Sequence, residues 1–267
     1  HEVFLYGGPH AAVQFPRVLA GYRRRGRRVV VTIHGVVDLR TVGAGFVARN
    51  GSGLPPGAVR AGLRRLIGSA ARAADAVIVH DAVFAGRLRE QYGVAADRIR
   101  VIPLPLPQRR PADREGARRR WGLRAPTALF FGFVTGYKGL PSLLDAWAEY
   151  RRTGGRGQLV VAGGRHPRLA GAPRYERDYA ALKARAEGIG NVTWLGFVPD
   201  ADVPALLAAT DLLVLPYEDA IADSGPLNFA LAYDRPALVS EAFAHAAPIP
   251  DAVAPREPAG FAAALHR

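Results

Sequence analysis

Short, uninterrupted apolar runs separated by amphipathic stretches recur along this chain of 267 residues. The runs are VFLY (3–6), VVVTI (29–33), AVIV (76–79), RVI (100–102), TALFF (127–131), QLVVA (158–162), VTWL (192–195), LLVL (212–215) and ALVS (237–240). A strand exposed on one face alternates apolar with polar residues, whereas a strand covered on both faces stays apolar throughout, as in parallel sheets. The gaps between runs carry helical spacing. Leu140, Leu143, Leu144 and Trp147 fall on one helix face, with Pro141 suited to the first turn. Asp202 reads as an N-cap for a helix that turns Leu206 and Leu207 inward. Strands alternating with helices predict doubly wound parallel sheets of the α/β class.

The stretch 103–126 breaks this rhythm with proline and charge, leaving room for one short helix near 112–121. Four apolar runs precede it and five follow. The expected organisation is therefore two Rossmann-like domains, residues 1–108 and 109–267.

The absence of cysteine excludes a disulfide framework and thiolate metal sites. No run reaches the length of a membrane span and no signal peptide opens the chain, which fits a cytoplasmic protein. The chain starts at His1 and enters an apolar run at once, so a missing N-terminal portion is expected. A formal charge of +13 suits phosphate-bearing partners or an anionic membrane surface, including peripheral contact at the inner membrane face. A solvated arginine surface is the plainer reading. The basic runs at 22–28 and 114–124 lack the interleaved aromatics of single-strand binders, so no nucleic-acid partner is expected.

Of the 36 basic residues, only Lys138 and Lys183 are lysines. Such a bias fits a GC-rich coding sequence, and it makes Lys138 stand out. Open α/β sheets bind ligands beyond the carboxyl ends of their strands. Lys138 follows the run 127–131 and Gly132, just before a helix, where an ammonium and free N–H groups together favour a phosphate. Ser224, Gly225 and Pro226 open another helix, whose apolar face is expected to carry Leu227, Ala230 and Leu231. Each device alone is also what a surface charge or an ordinary helix cap looks like. No paired carboxylates of glycosidase character and no metal-binding constellation stand out.

The segments at 130–147, 159–164, 191–217 and 224–240 occur with an order and spacing that resemble the donor-binding half of retaining glycosyltransferases of family four. VVVTIHG (29–35), 74–88 and 97–105 resemble, more loosely, the later part of the acceptor half. The resemblance implies a GT-B fold of two Rossmann-like domains, with the first domain incomplete. It implies transfer of a sugar, with retention, from a nucleoside-diphosphate sugar to a hydroxyl of a glycan, lipid-linked or small-molecule acceptor. No bound cofactor or metal is implied. The donor site would comprise Gly132, Lys138, Gly163, Phe197, Val198, Glu218 and the Ser224-Gly225-Pro226-Leu227 turn. Lys138 would neutralise the leaving diphosphate, and His34 would serve catalysis near the sugar or the acceptor. His34 is equally a histidine that closes a strand end. His80, similarly placed after 76–79, reads more readily as packing.

Three departures from the family pattern matter. No arginine accompanies Lys138. Ile221 and Phe229 stand where two glutamates are usual, leaving Glu218 as a substitute or a plain loop acid. Asp234 replaces a turn glycine, a role asparagine and aspartate tolerate. These departures keep two alternatives open. One is a non-catalytic nucleotide-sugar-binding or partner subunit, and the other is a GT-B sugar-nucleotide epimerase.

Overall fold

The computed structural model describes residues 8–50, 52–124, 126–247 and 249–267, with side chains from residue 14 onward. The chain divides into two units. The first runs to Leu104 and includes Ala220–Asp223; the second comprises Pro105–Asp219 and Ser224–Arg267. The sequence placed the division at 108/109, within the same proline-rich stretch. It gave no sign that 220–223 would group with the first unit.

In the first unit the elements are α1 (Gly8–Arg24), β1 (Val30–Thr32), α2 (Ala44–Arg49), α3 (Pro56–Ala73), β2 (Ala76–Val79), α4 (Ala82–Tyr92) and β3 (Ile99–Val101). The strands form a parallel sheet in the order β1-β2-β3. The run at 3–6 lies outside the described residues. Val77, Val79, Phe84, Leu88, Tyr92 and Ile67 form the core of this unit. Asp81 caps α4 by accepting from the Val83 N–H at 2.6 Å, and Gly93 ends it in the left-handed conformation, so both helix ends are satisfied. Helix α1 was not anticipated, because Pro16 and an arginine-rich end mask its periodicity.

The second unit contains α5 (Arg114–Trp121), β4 (Thr127–Phe131), α6 (Leu140–Arg152), β5 (Gln158–Ala162), α7 (Pro173–Ile189), β6 (Val192–Trp194) and α8 (Val203–Ala209). These are followed by β7 (Leu212–Leu215), α9 (Gly225–Ala232), β8 (Ala237–Ser240), β9 (Val253–Ala254) and α10 (Pro258–Leu265). The sheet is wholly parallel, with strand order β6-β5-β4-β7-β8-β9. All five expected strands are present. The two-residue β9 is additional, and its run is too short to signal a strand. Leu140, Leu143, Leu144 and Trp147 are buried on one face of α6, each worth about 2 kcal/mol. Among the described residues, no helix is long and apolar enough to cross a membrane.

Some local expectations are corrected. Leu231 is exposed, because α9 turns only Leu227 and Ala230 firmly inward. Asp202 occupies the N-cap position of α8, yet its carboxylate accepts from Arg120 rather than from a helix N–H. Asp234 does take φ 51°, as a turn residue replacing glycine must.

The irregular stretch before β4 is pinned by one acid. Asp211 accepts from Arg114, from Arg118 at 2.7 Å and from the Thr127 N–H at 2.8 Å. It thereby ties α5 to the entry of β4. Charge-assisted bonds of this kind contribute more than neutral ones. Asp211→Ala is expected to destabilise the second unit by about 2–3 kcal/mol, read from the urea midpoint, with Asp211→Asn costing less.

Candidate functional site

The order β6-β5-β4-β7-β8-β9 corresponds to 3-2-1-4-5-6 when the strands of this unit are counted from β4. In that order the chain reverses direction between β4 and β7, and the crevice beyond their carboxyl ends is where open α/β sheets take nucleotides. The loop after β4 carries Gly132 and Lys138, and the loop after β7 leads to Ser224 and α9. The topology therefore brings together two segments nearly ninety residues apart.

Contacts between the backbones join these loops. Gly139 has φ 71°, and a Cβ there would lie 1.8 Å from the Pro216 carbonyl oxygen. Only glycine allows the β7 exit to pass this close. The Glu218 N–H donates to the Tyr137 carbonyl at 2.8 Å, and the Tyr137 and Tyr217 rings meet edge to face at 6.0 Å. The Tyr217 hydroxyl lies 3.0 Å from Ser224 Oγ, which ties the β7 loop to the start of α9.

Lys138 ends a single 3-10 turn, Gly136–Lys138, and is only 8 % exposed. Its Nζ lies 5.9 Å from the centroid of the Tyr217 ring. Gly132 has φ 117°, and a Cβ there would sit 2.5 Å from Lys138 Nζ and 3.5 Å from the Pro226 ring. The lysine, the end of β4 and the first turn of α9 thus converge at one point. Among the described residues, no carboxylate pairs with Lys138. Burial lowers its pKa from near 10.5 to about 8. The other lysine, Lys183, lies on the surface of α7 near Glu187.

The start of α9 offers fewer donors than its four-residue motif suggests. Ser224 Oγ accepts from the Leu227 N–H at 3.2 Å, and Pro226 has no N–H. Gly225 is exposed, and its N–H remains as a donor at this end. Glu218 is half-buried, and its carboxylate accepts from Ser142 Oγ in the first turn of α6. Ile221 is buried in the first unit, where its carbonyl accepts from the Val36 N–H at 2.8 Å. Phe229 packs edge to face on Phe131 at 5.8 Å.

Along the same rim, Gly163 makes room for Val134, whose Cγ2 would lie 2.8 Å from a Cβ at that position. The Gly163 carbonyl accepts from the Tyr179 hydroxyl at 2.8 Å. A Cβ on the next residue, Gly164, would come within 3.1 Å of Phe197 Cβ, while the Phe197 ring is 64 % exposed. Val198 is buried.

In the first unit, His34 and His80 follow β1 and β2 and contact each other, with 2.9 Å between Nδ1 of His34 and Nε2 of His80. The sequence ranked His80 below His34; the parallel register, which places the two residues side by side, was the missing signal. Among the described residues, no group of three or more His, Cys, Asp or Glu residues is placed to hold a metal ion.

Two parallel α/β units, one with its switch-point crevice lined by a buried cation and a helix start, define a Rossmann-like protein of the GT-B fold class. The chain belongs to the family described as glycosyl transferases group 1, whose sequence model matches residues 125–267, more than half of the chain. A second model, glycosyltransferase family 4, matches residues 9–110. The chain is 34 % identical over 151 residues to the D-inositol 3-phosphate glycosyltransferase of Nocardia farcinica, an alignment covering 54 % of this chain and 32 % of that protein. Anabaena HepE, solved with UDP and glucose, superimposes with a TM-score of 0.70 at 19 % identity, covering 96 % of this chain and 65 % of that one. The sucrose-phosphate synthase of Thermosynechococcus elongatus gives 0.68 at 19 % identity, covering 92 % and 60 %. The chain thus spans about a third to two thirds of the length of these relatives.

Two outcomes follow from the geometry. Gly139→Ala is expected to cost at least about 3 kcal/mol, because the new methyl meets a backbone oxygen and the backbone stays left-handed; denaturant melts measure it. Lys138→Met is expected to stabilise the unliganded protein by up to about 3 kcal/mol at pH 7. There the wild type holds a buried charge that no carboxylate pairs with among the described residues. Between about pH 8 and 10.5 the unfolded chain binds more protons than the folded one, so wild-type stability rises across that window. The advantage of the variant should shrink over the same range in melts recorded from pH 7 to 11.

Proposed function

We propose that this chain forms the nucleotide-sugar-binding part, and some of the acceptor part, of a retaining glycosyltransferase. It moves a sugar from a nucleoside-diphosphate sugar to an acceptor hydroxyl. The observation that carries this reading is Lys138, a cation buried at the switch point with no carboxylate partner among the described residues. A donor diphosphate would supply that counter-ion, with the Gly225 N–H at the start of α9 reaching it from the other side. During transfer, negative charge grows on the leaving diphosphate, and a fixed ammonium stabilises that growth most in the transition state. In the retaining scheme the family resemblance implies, the leaving phosphate takes the proton of the attacking hydroxyl. His34 in the first unit would engage the acceptor. The exposed Phe197 ring beside Gly164 would offer the nucleobase an apolar face. HepE was solved with UDP-glucose, which makes a uridine nucleotide the first donor to try.

A second reading is supported by Ile221 and Phe229, which stand where the family pattern has glutamates, and by the bond between Glu218 and Ser142. With those handles absent or engaged, the chain would bind a nucleotide sugar without transferring it.

Calorimetry with UDP, GDP and ADP tests the site. One diphosphate should bind, and Lys138→Met should weaken it tenfold or more, the loss of one charge-assisted contact. Binding near pH 8.5 should also take up protons in the wild type and not in the variant, because the diphosphate restores the charge on Lys138. This is read by comparing heats in buffers of different ionisation enthalpy. Equal affinity and no proton uptake would remove the diphosphate site. Binding without sugar transfer to any hydroxyl acceptor would favour the second reading.

A further inference from the structure

The carboxyl edge of the second unit's sheet carries two exposed phenylalanines in one row. β4 pairs Phe131 with Ala162 of β5, and the ladder runs on past both strands. The Gly132 N–H donates to the Ala162 carbonyl at 3.1 Å and the Val134 N–H to the Gly164 carbonyl at 3.0 Å, while Val134 bridges Arg165. Phe133 therefore lies opposite Gly164. On the other side β5 pairs Val161 with Trp194 of β6, and three residues further on the same register sets Gly164 opposite Phe197. The side chains agree with this row. A Cβ at Gly164 would lie 3.1 Å from Phe197 Cβ, whereas one at Gly163 would meet Val134 and Val161. Successive residues of a strand face opposite ways, so Val134 turns into the core, and Phe133 and Phe197 share the other face, both exposed.

The row reads aromatic, glycine, aromatic. The Phe197 ring leans on the Gly164 backbone, its Cδ2 3.2 Å from where a Cβ would stand, so a side chain at 164 would push it away. Two strand spacings separate the phenylalanine positions by about 10 Å, and packed aromatic rings stand about 4.5–7 Å apart, so one flat ring between them reaches both. Helix α7 braces the strand ends that carry the two rings. The Tyr175 hydroxyl donates to the Val134 carbonyl at 2.8 Å and accepts from the His166 N–H at 2.8 Å, and the His166 ring meets Phe133 edge to face at 5.6 Å. The Tyr179 hydroxyl donates to the Gly163 carbonyl at 2.8 Å and accepts from Trp194 Nε1–H at 3.1 Å, which ties the ends of β5 and β6 together. The row also begins beside the lysine, because Phe133 follows Gly132, whose Cβ position is 2.5 Å from Lys138 Nζ.

We propose that Phe133 and Phe197 are the two walls of one seat for the base of a nucleoside diphosphate, with Gly164 as its floor. Phe133 is the added wall, on a residue that no local pattern marks. A base offers a π-face on each side, and a ribose links it to the diphosphate that Lys138 would hold. Stacking of this kind accepts any base, so the walls supply affinity and leave the choice of base to other groups. That the occupant carries a diphosphate rests on the reading of Lys138 above; the aromatic seat does not.

The test compares UDP, GDP and ADP with inorganic pyrophosphate, which has no base, by calorimetry. Phe133→Ala and Phe197→Ala should each weaken the preferred nucleoside diphosphate by about fivefold to 150-fold and leave pyrophosphate unchanged. Lys138→Met should weaken both. Phe133→Tyr, which keeps the ring, should restore binding, and Phe133→Leu should not. An unchanged nucleotide affinity in Phe133→Ala overturns the proposal, as does an equal loss for pyrophosphate, which would mean that Phe133 acts only through the lysine loop. In protein protonated only at phenylalanine, the base protons of the bound nucleotide should show nuclear Overhauser contacts to both rings; contacts to Phe197 alone overturn the second wall. If no diphosphate binds, the reading of Lys138 falls, and titration with uridine, guanosine and adenosine to millimolar concentration decides the seat. Shifts of the Phe133 and Phe197 ring signals together keep it, and no shift at Phe133 overturns it.

Discussion

Lys138 keeps a positive charge inside the second unit with no negative partner among the described residues, and much of the surrounding structure is arranged to keep it there. Gly139 lets the β7 exit press against the backbone directly after the lysine. Gly132 leaves space for Nζ. Tyr217 supplies a ring face and ties the β7 loop to Ser224. An apolar residue at position 138 would fit this environment at lower free energy. The proposed diphosphate would bring the charge that this environment lacks among the described residues.

The sheet order explains why these parts meet. A parallel sheet with its first strand in the middle sends successive crossovers to opposite sides, and the two loops that flank the reversal are left facing each other. In the second unit those loops follow β4 and β7. The first unit shows the same principle on a smaller scale. Three parallel strands in register deliver His34, His80 and the Ile102 carbonyl in a row, and a shared hydrogen-bonded chain results without any of them being close in sequence.

The departures from the family pattern also acquire physical content. Asp234 takes the left-handed backbone that its turn requires, and its carboxylate pairs with Arg109. Ile221 is buried in the first unit rather than presented as a polar handle. The four-residue motif at the start of α9 supplies a cap and a proline as well as a donor, so it offers an anion less than its length suggests.

Apolar runs and helical spacing determined the class of fold, the five longer strands of the second unit and the buried face of α6, because burial on one or both faces leaves a local periodic trace. The lone lysine before a glycine was equally legible, since it broke the arginine usage of the chain. Helix α1 and strand β9 left too weak a trace, one masked by proline and arginine and the other only two residues long. Only the tertiary structure decided that Leu231 faces outward, that Glu218 is held by Ser142, that Lys138 is buried with no carboxylate partner among the described residues, and that His80 pairs with His34. Those facts depend on which segments the sheet order brings together, and contacts between distant segments are set by register and crossover rather than by any local pattern.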